Sequence, residues 1–149
     1  MIPYGRHHID KDDLLAVNKV LKSNFLTQGP LISKFEKLIS NYVGSKYAVV
    51  VSSCTAGLHL ASIISNNKNG KKLLTSPISF VSTANSSIFT GGDVIFADIE
   101  SDTGNISIDN INKILKKNKI NSISPVHFGG LPCDMKSKNK LKKKYKFTI

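Results

Sequence analysis

From residue 46 onward the chain alternates short, β-branched apolar runs with segments of helical period, and this constrains its fold more than any other feature. Residues 47–51 form a continuous apolar run of strand length, which reads as a buried strand. Residues 73–75, closed by Pro77, read as a second strand, 94–97 as a third and 120–126 as a fourth. A fifth begins at 146–149. Between them, 55–64, 81–89, 108–115 and 136–145 have helical spacing. Strands that alternate with helices predict an α/β fold with a parallel sheet and crossover helices on its faces.

The segment before this alternation, residues 1–45, reads as a helical N-terminal part, and 46–149 as the α/β part. Asp10 is a plausible N-cap, with Asp12 and Asp13 where the helix dipole favours acids. Leu14, Val17, Val20 and Leu21 recur at helical spacing, and the stretch 25–29 breaks the helix. Pro30 suits the first position of a second helix, with Leu31, Phe35, Leu38, Ile39 and Tyr42 on its apolar face and Gly44 as its stop.

The 149 residues carry a formal net charge of +11, which first suggests an acidic partner such as nucleic acid. Its distribution argues against one. Residues 110–149 hold eleven lysines and a single acid, Asp134, while the rest is nearly balanced. The chain has twenty lysines, one arginine (Arg6) and no tryptophan. Base readout and stacking favour arginine and aromatics. No apolar run is long enough to span a bilayer, and the N-terminus has no apolar signal-peptide core. Cys54 and Cys133 form neither a CxxC pair nor a metal-ligand spacing, which suits a reduced, cytoplasmic protein.

In open parallel sheets ligands bind beyond the carboxyl ends of the strands. That rule selects Ser52-Ser53-Cys54-Thr55-Ala56-Gly57, then Ser76-Pro77-Ile78-Ser79-Phe80, then Asp98-Ile99-Glu100, then His127-Phe128-Gly129-Gly130. The first places small and hydroxyl residues at a helix N-terminus, where free amides favour an anion. An ordinary Ser N-cap explains the same residues equally well. Phe80 suits stacking on a planar ring or burial in a core, and His127 suits a site or a structural hydrogen bond. Asp98 suits a ligand contact or a turn cap. No Walker motif, G-x-G-x-x-G or G-x-S-x-G elbow is present.

Taken in order, several segments resemble one family. They are Phe25-Leu26-Thr27-Gln28-Gly29-Pro30, Val51-Ser52-Ser53-Cys54-Thr55-Ala56-Gly57-Leu58-His59-Leu60, Thr75-Ser76-Pro77-Ile78-Ser79-Phe80, Phe96-Ala97-Asp98-Ile99 and Pro125-Val126-His127-Phe128-Gly129-Gly130-Leu131-Pro132-Cys133-Asp134-Met135. Together they resemble the DegT/DnrJ/EryC1/StrS sugar aminotransferases. The resemblance implies the large domain of a type I pyridoxal-phosphate-dependent transferase, a three-layer α/β/α unit with a mostly parallel sheet. It also implies pyridoxal 5′-phosphate as cofactor, its phosphate held by Ser53, Cys54, Thr55 and Ala56 and its ring stacked on Phe80. Thr27, Gln28 and His127 would lie toward the substrate.

The implied reaction transfers an amino group, with L-glutamate as donor, to C4 of a UDP-4-keto-6-deoxy-N-acetylhexosamine, as in surface-polysaccharide biosynthesis of the pseudaminic acid type. Partners would be the nucleotide sugar, the amino-acid donor and a second copy of the chain in a homodimer, with no nucleic acid and no membrane. The family's pyridine-nitrogen carboxylate and Schiff-base lysine are expected beyond Ile149, in keeping with an N-terminal fragment, and no catalytic residue is assigned here. Cys54 stands where the family usually has Gly or Ala, and Gly57 where Ala is common. A sugar dehydratase of the same family and a basic nucleic-acid-binding α/β module are the alternative readings.

Overall fold

A computed structural model of the chain describes residues 5–149, so Met1–Tyr4, the start of the segment read as lacking a signal core, lie outside the described residues. The chain divides into two compact units, one running up to Val50 and the other Val51–Ile149.

The first unit holds α1 (Lys11–Leu21) and α2 (Pro30–Val43). Asp10 caps α1 by accepting from the Asp12 and Asp13 amides at 2.9 and 3.1 Å, and the Asp13 carboxylate accepts from the Asp10 amide in return. Pro30 occupies the first turn of α2, and Gly44 ends it in the left-handed conformation at φ 69°. The expected apolar stripes are present, but Leu14, Val17, Leu21, Leu31, Phe35, Leu38 and Tyr42 are all exposed. Residues 47–51, read from sequence as a buried strand, pair with no described strand. Tyr47, Val49 and Val50 are exposed. Side-chain composition reports a preference for extended backbone, whereas burial requires a neighbouring strand, and none of the described strands takes that place.

The second unit is built on a parallel sheet of β1 (Lys72–Thr75), β2 (Asp93–Phe96) and β3 (Ser122–Ser124), in the order β2-β1-β3. Lys72 pairs with Asp93 and Thr75 with Phe96 on one side of β1, and Leu73 pairs with Ser122 on the other. The expected fifth strand is reduced to a parallel bridge between Thr148 and Ser122, closed by bonds of 2.8 and 3.0 Å. The helices are α3 (Cys54–Ile64), α4 (Ser82–Ile88), α5 (Ile108–Lys117) and α6 (Met135–Tyr145).

Strand alternation sends Leu74 and Leu73 to opposite faces. Leu74, fully buried, joins Ala97, Ile106, Ile111, Leu115, Ile123 and Phe147 in the main core beneath α5 and α6. Leu73 faces α3 and α4, where the packing is small and polar. There the Ser62 hydroxyl donates to the Ser86 hydroxyl at 3.0 Å. The buried Asn67 amide oxygen accepts from Asn121 Nδ2 at 2.6 Å and Ser122 Oγ at 2.8 Å. A buried polar interface holds only while every group is paired. Asn67→Ala therefore orphans Ser122 Oγ and should cost about 1–3 kcal/mol in denaturant unfolding. An unchanged midpoint would show that water takes over Asn67's role.

The lysine-rich end follows helix geometry. Lys116, Lys117, Lys140 and Lys142–144 lie on exposed faces of α5 and α6. Lys138 departs from the solvent-face expectation, with only 1% of its surface exposed. Asp134 caps α6, accepting from the Ser137 amide at 3.0 Å. Its carboxyl is held below the ordinary value by hydrogen bonds from the Ser137 side chain and amide; desolvation opposes them, and the Lys138 charge adds a lesser lowering. A carboxyl lowered by folding binds protons more readily in the unfolded chain. Its contribution is therefore complete above the unfolded value of about 4 and fades as pH falls through the lower folded value. Asp134→Asn, which keeps a capping acceptor, should flatten this part of the acid-unfolding curve. Identical acid limbs for the two proteins would refute the assignment.

Candidate functional site

The site is assembled from loops at the carboxyl edge of the sheet. Past the end of α3, the Ser65 carbonyl accepts from Asn121 Nδ2 at 2.7 Å and Asn67 accepts from Ser122, both at the amino end of β3. An eleven-residue helix is about 16 Å long, so this tether at its C-terminus leaves the N-terminus of α3 away from the amino edge.

At that N-terminus Ser53 is the cap, and its Oγ accepts from the Ala56 amide at 3.2 Å. The Gly57 amide bonds the Ser53 carbonyl at 3.1 Å. This leaves the Cys54 and Thr55 amides as the orphan donors of the first turn. Cys54 is exposed, and Thr55 and Ala56 are half-buried. The Ser53 hydroxyl proton and the Thr55 hydroxyl add donors beside them. A Cβ on Gly57 would meet Val51 Cγ2 at an ordinary 3.5 Å. The donor set thus suits a phosphate-sized oxyanion: free amides, two hydroxyls, no acid, and small side chains that permit close approach. The capping reading and the anion reading, evenly matched in sequence, prove compatible, because the cap consumes only the Ala56 amide.

Phe80 lies in the loop that follows β1 and is 74% exposed, so it is not a core aromatic. The loop is held by local bonds. The Ile78 amide donates to Ser76 Oγ at 3.1 Å, and the Ser79 and Thr83 hydroxyls lie 2.6 Å apart. The Thr83 amide donates to the Phe80 carbonyl at 3.0 Å. Thr75 Oγ1 donates to the Ser124 carbonyl at 2.8 Å, joining the carboxyl ends of β1 and β3. A cavity of about 220 Å³ opens here, lined in part by Phe80 and Phe96. Phe96 was not singled out in the sequence, because its strand position reads as core; at the end of β2 it is instead exposed.

His127 is an exposed residue following β3, at the head of the turn Phe128–Gly130, and its Nδ1 accepts from the Cys133 amide at 3.0 Å. Asp98 behaves as a turn residue, its Oδ1 accepting from the Ile99 amide at 2.8 Å. Thr27 and Gln28 belong to the first unit; both are exposed, and Gln28 has φ 52°. Asn105 escaped the sequence reading because it follows Gly104 in a segment that reads only as a turn. It is buried and bonds to the loop of His127.

The chain thus combines a parallel α/β sheet, a helix opening whose donor set suits an oxyanion, and an exposed aromatic ring in the loop after β1. The chain belongs to the DegT/DnrJ/EryC1/StrS aminotransferase family, whose model matches residues 7–149. It is 39% identical over its whole length to the UDP-4-amino-4,6-dideoxy-N-acetyl-β-L-altrosamine transaminase of Campylobacter jejuni, and covers 40% of that protein. Among solved structures, Helicobacter pylori PseC, an aminotransferase involved in pseudaminic acid biosynthesis, matches 97% of the chain with a TM-score of 0.87 and 32% identity. The chain covers 39% of PseC. A GDP-4-keto-6-deoxymannose-3-dehydratase structure matches 99% of the chain with a TM-score of 0.89 and 25% identity, and the chain covers 40% of it. The fold is therefore that of the pyridoxal-phosphate-dependent aminotransferases, and the chain spans about two fifths of the length of these relatives.

The first turn of α3 also makes a stability test. Ser53→Ala removes the cap and should lower helix stability by about 1 kcal/mol. Gly57→Ala fits without a clash and should raise it by about 0.5–1 kcal/mol. Amide hydrogen exchange along α3 reads both, and a destabilising Gly57→Ala would mean that Val51 cannot accommodate the methyl.

Proposed function

We propose that the complete protein is a pyridoxal-phosphate-dependent aminotransferase acting on a nucleotide-linked keto sugar. The observation that carries this reading is the identity, over the whole chain, to a sugar-nucleotide transaminase, combined with a helix opening whose free donors suit a phosphate. When bound, the cofactor supplies a conjugated electron sink that lets an amino group pass between carbon skeletons.

The roles of this chain's residues follow from their chemistry. The Cys54 and Thr55 amides and the Ser53 and Thr55 hydroxyls donate to the phosphate, with Ala56 keeping the approach open. Phe80 covers one face of the pyridine ring and keeps water from it. Thr27 and Gln28 of the first unit and His127 of the second are proposed as contacts for the sugar nucleotide on the strength of the family resemblance alone. The substrate is a UDP-4-keto-6-deoxy-N-acetylhexosamine, L-glutamate is the amino donor, and the working unit is a cytoplasmic homodimer. Among the described residues no helix is long and apolar enough to cross a membrane.

The likeness to the 3-dehydratase supports a second reading, loss of water from the same kind of sugar. The test is product analysis of the complete protein with pyridoxal 5′-phosphate, L-glutamate and the UDP-4-keto sugar. The expected products are a 4-amino sugar and an equal amount of 2-oxoglutarate. A deoxygenated keto sugar would favour the dehydratase, and no reaction would overturn both. Phe80→Ala and Thr55→Val should each weaken cofactor binding by up to about tenfold, followed by absorbance titration. Unchanged titrations would remove these residues from the cofactor site.

A further inference from the structure

One loop at this sheet edge is held by a buried group that neither composition nor periodicity singles out. Asn105 is 4% exposed and sits in the turn that leads to α5. Its Oδ1 accepts from the Phe128 amide at 3.0 Å. Its Nδ2 donates to the Leu131 carbonyl at 3.2 Å and lies 3.5 Å from that of Pro132. One side-chain amide thus serves the main chain on both sides of Gly129 and Gly130, which occupy left-handed conformations at φ 60° and 84°. The Phe128 ring packs against Gly104, where a Cβ would fall 2.7 Å from Cδ1. Without these contacts two adjacent glycines leave the loop free to open.

What the closed loop controls is the ring of His127. The Cys133 amide meets His127 Nδ1 at 3.0 Å, and the Cys133 thiol donates to the Val126 carbonyl at 3.1 Å. A backbone N–H can only donate, so Nδ1 must carry the lone pair and the neutral ring holds its proton on Nε2. The ring belongs to an exposed residue, so that proton is available to a ligand.

We propose that Asn105 is a positioning residue: by closing the 127–133 loop it fixes His127 as an Nε2–H donor to an oxygen acceptor in the complex formed at the carboxyl edge of the sheet. The donor role rests on the cofactor reading above, whereas the positioning does not. Nδ1 is consumed by the loop and Nε2–H is left to face the ligand, so His127 meets the bound complex with a fixed polarity.

The test is heteronuclear NMR on the complete protein with labelled histidine. The wild type should show a coupling across the hydrogen bond between the Cys133 amide and His127 Nδ1, with the ring proton on Nε2. Asn105→Ala should lose that coupling and the exchange protection of the Cys133 amide. Asn105→Asp, which keeps the acceptor for Phe128 but not the donor to Leu131, should weaken both. No coupling in the wild type, or an undiminished one in Asn105→Ala, overturns the positioning role whatever the protein binds. Adding pyridoxamine 5′-phosphate should shift the His127 Nε2 resonance in the wild type. An unmoved resonance with the ligand demonstrably bound overturns the donor role, while absence of binding counts against the cofactor reading itself.

Discussion

The second unit depends on the ladder of β1. This four-residue strand is the only one among the described residues that pairs along its length on both sides, with β2 and with β3. Its two leucines point to opposite faces, so one short segment belongs to both the apolar core under α5 and α6 and the polar seam under α3 and α4. Its last residue, Thr75, is fully buried and donates to the Ser124 carbonyl. The end of the central strand is thereby tied to the end of its neighbour, at the edge where the loops of Phe80 and His127 emerge. Parallel pairing brings the strand ends to one edge, and crossover helices return the chain to it each time.

The two faces of the sheet are held by different physics. Beneath α5 and α6, branched aliphatic side chains exclude water, and burial of apolar area supplies the free energy. Beneath α3 and α4, serines, a threonine and Asn67 fill the space with small, mutually bonded groups. Small side chains allow close approach of α3 and α4, and the Asn67 bonds orient α3 by its C-terminus. The orientation of α3 is what leaves its capped N-terminus, with two amides that the cap does not use, away from the amino edge of the sheet. A polar seam that looks incidental to stability therefore sets the direction of α3 and of its dipole.

Much of this was legible in the residues. The caps at Asp10 and Ser53, the stop at Gly44 and the Pro30 start rest on local chemistry, and local chemistry does not wait for tertiary contacts. The strand read at 73–75 and the helix read at 108–115 carry strong patterns and are found at Lys72–Thr75 and Ile108–Lys117. Residues 47–51 carry an equally strong strand pattern, yet they lie unpaired, with Tyr47, Val49 and Val50 exposed. They are richer in β-branched residues than β1, which reads Lys72-Leu73-Leu74-Thr75; what β1 has and they lack is a neighbouring strand, which no property of the segment itself can encode. Lys138 is the reverse case. Its residue type predicts solvent, but its place on the inner turn of α6 buries the stem while its charge helps hold Asp134 ionised.

The sequence by itself determined the α/β class, the parallel crossover plan and the family, because hydrophobic period and ordered motifs are properties of the chain read in one dimension. It also located the excess charge in residues 110–149, and the structure places most of those lysines, though not Lys138, on exposed faces. Only the tertiary structure decided which polar groups are spent and which remain free. Ser53 is both cap and potential donor because its hydroxyl satisfies one amide and leaves two. Asn105 governs a loop more than twenty residues away because burial brings its amide against three main-chain groups. Hydrogen-bond accounting is a property of neighbours in space, and a site's reactivity resides in the groups that accounting leaves over.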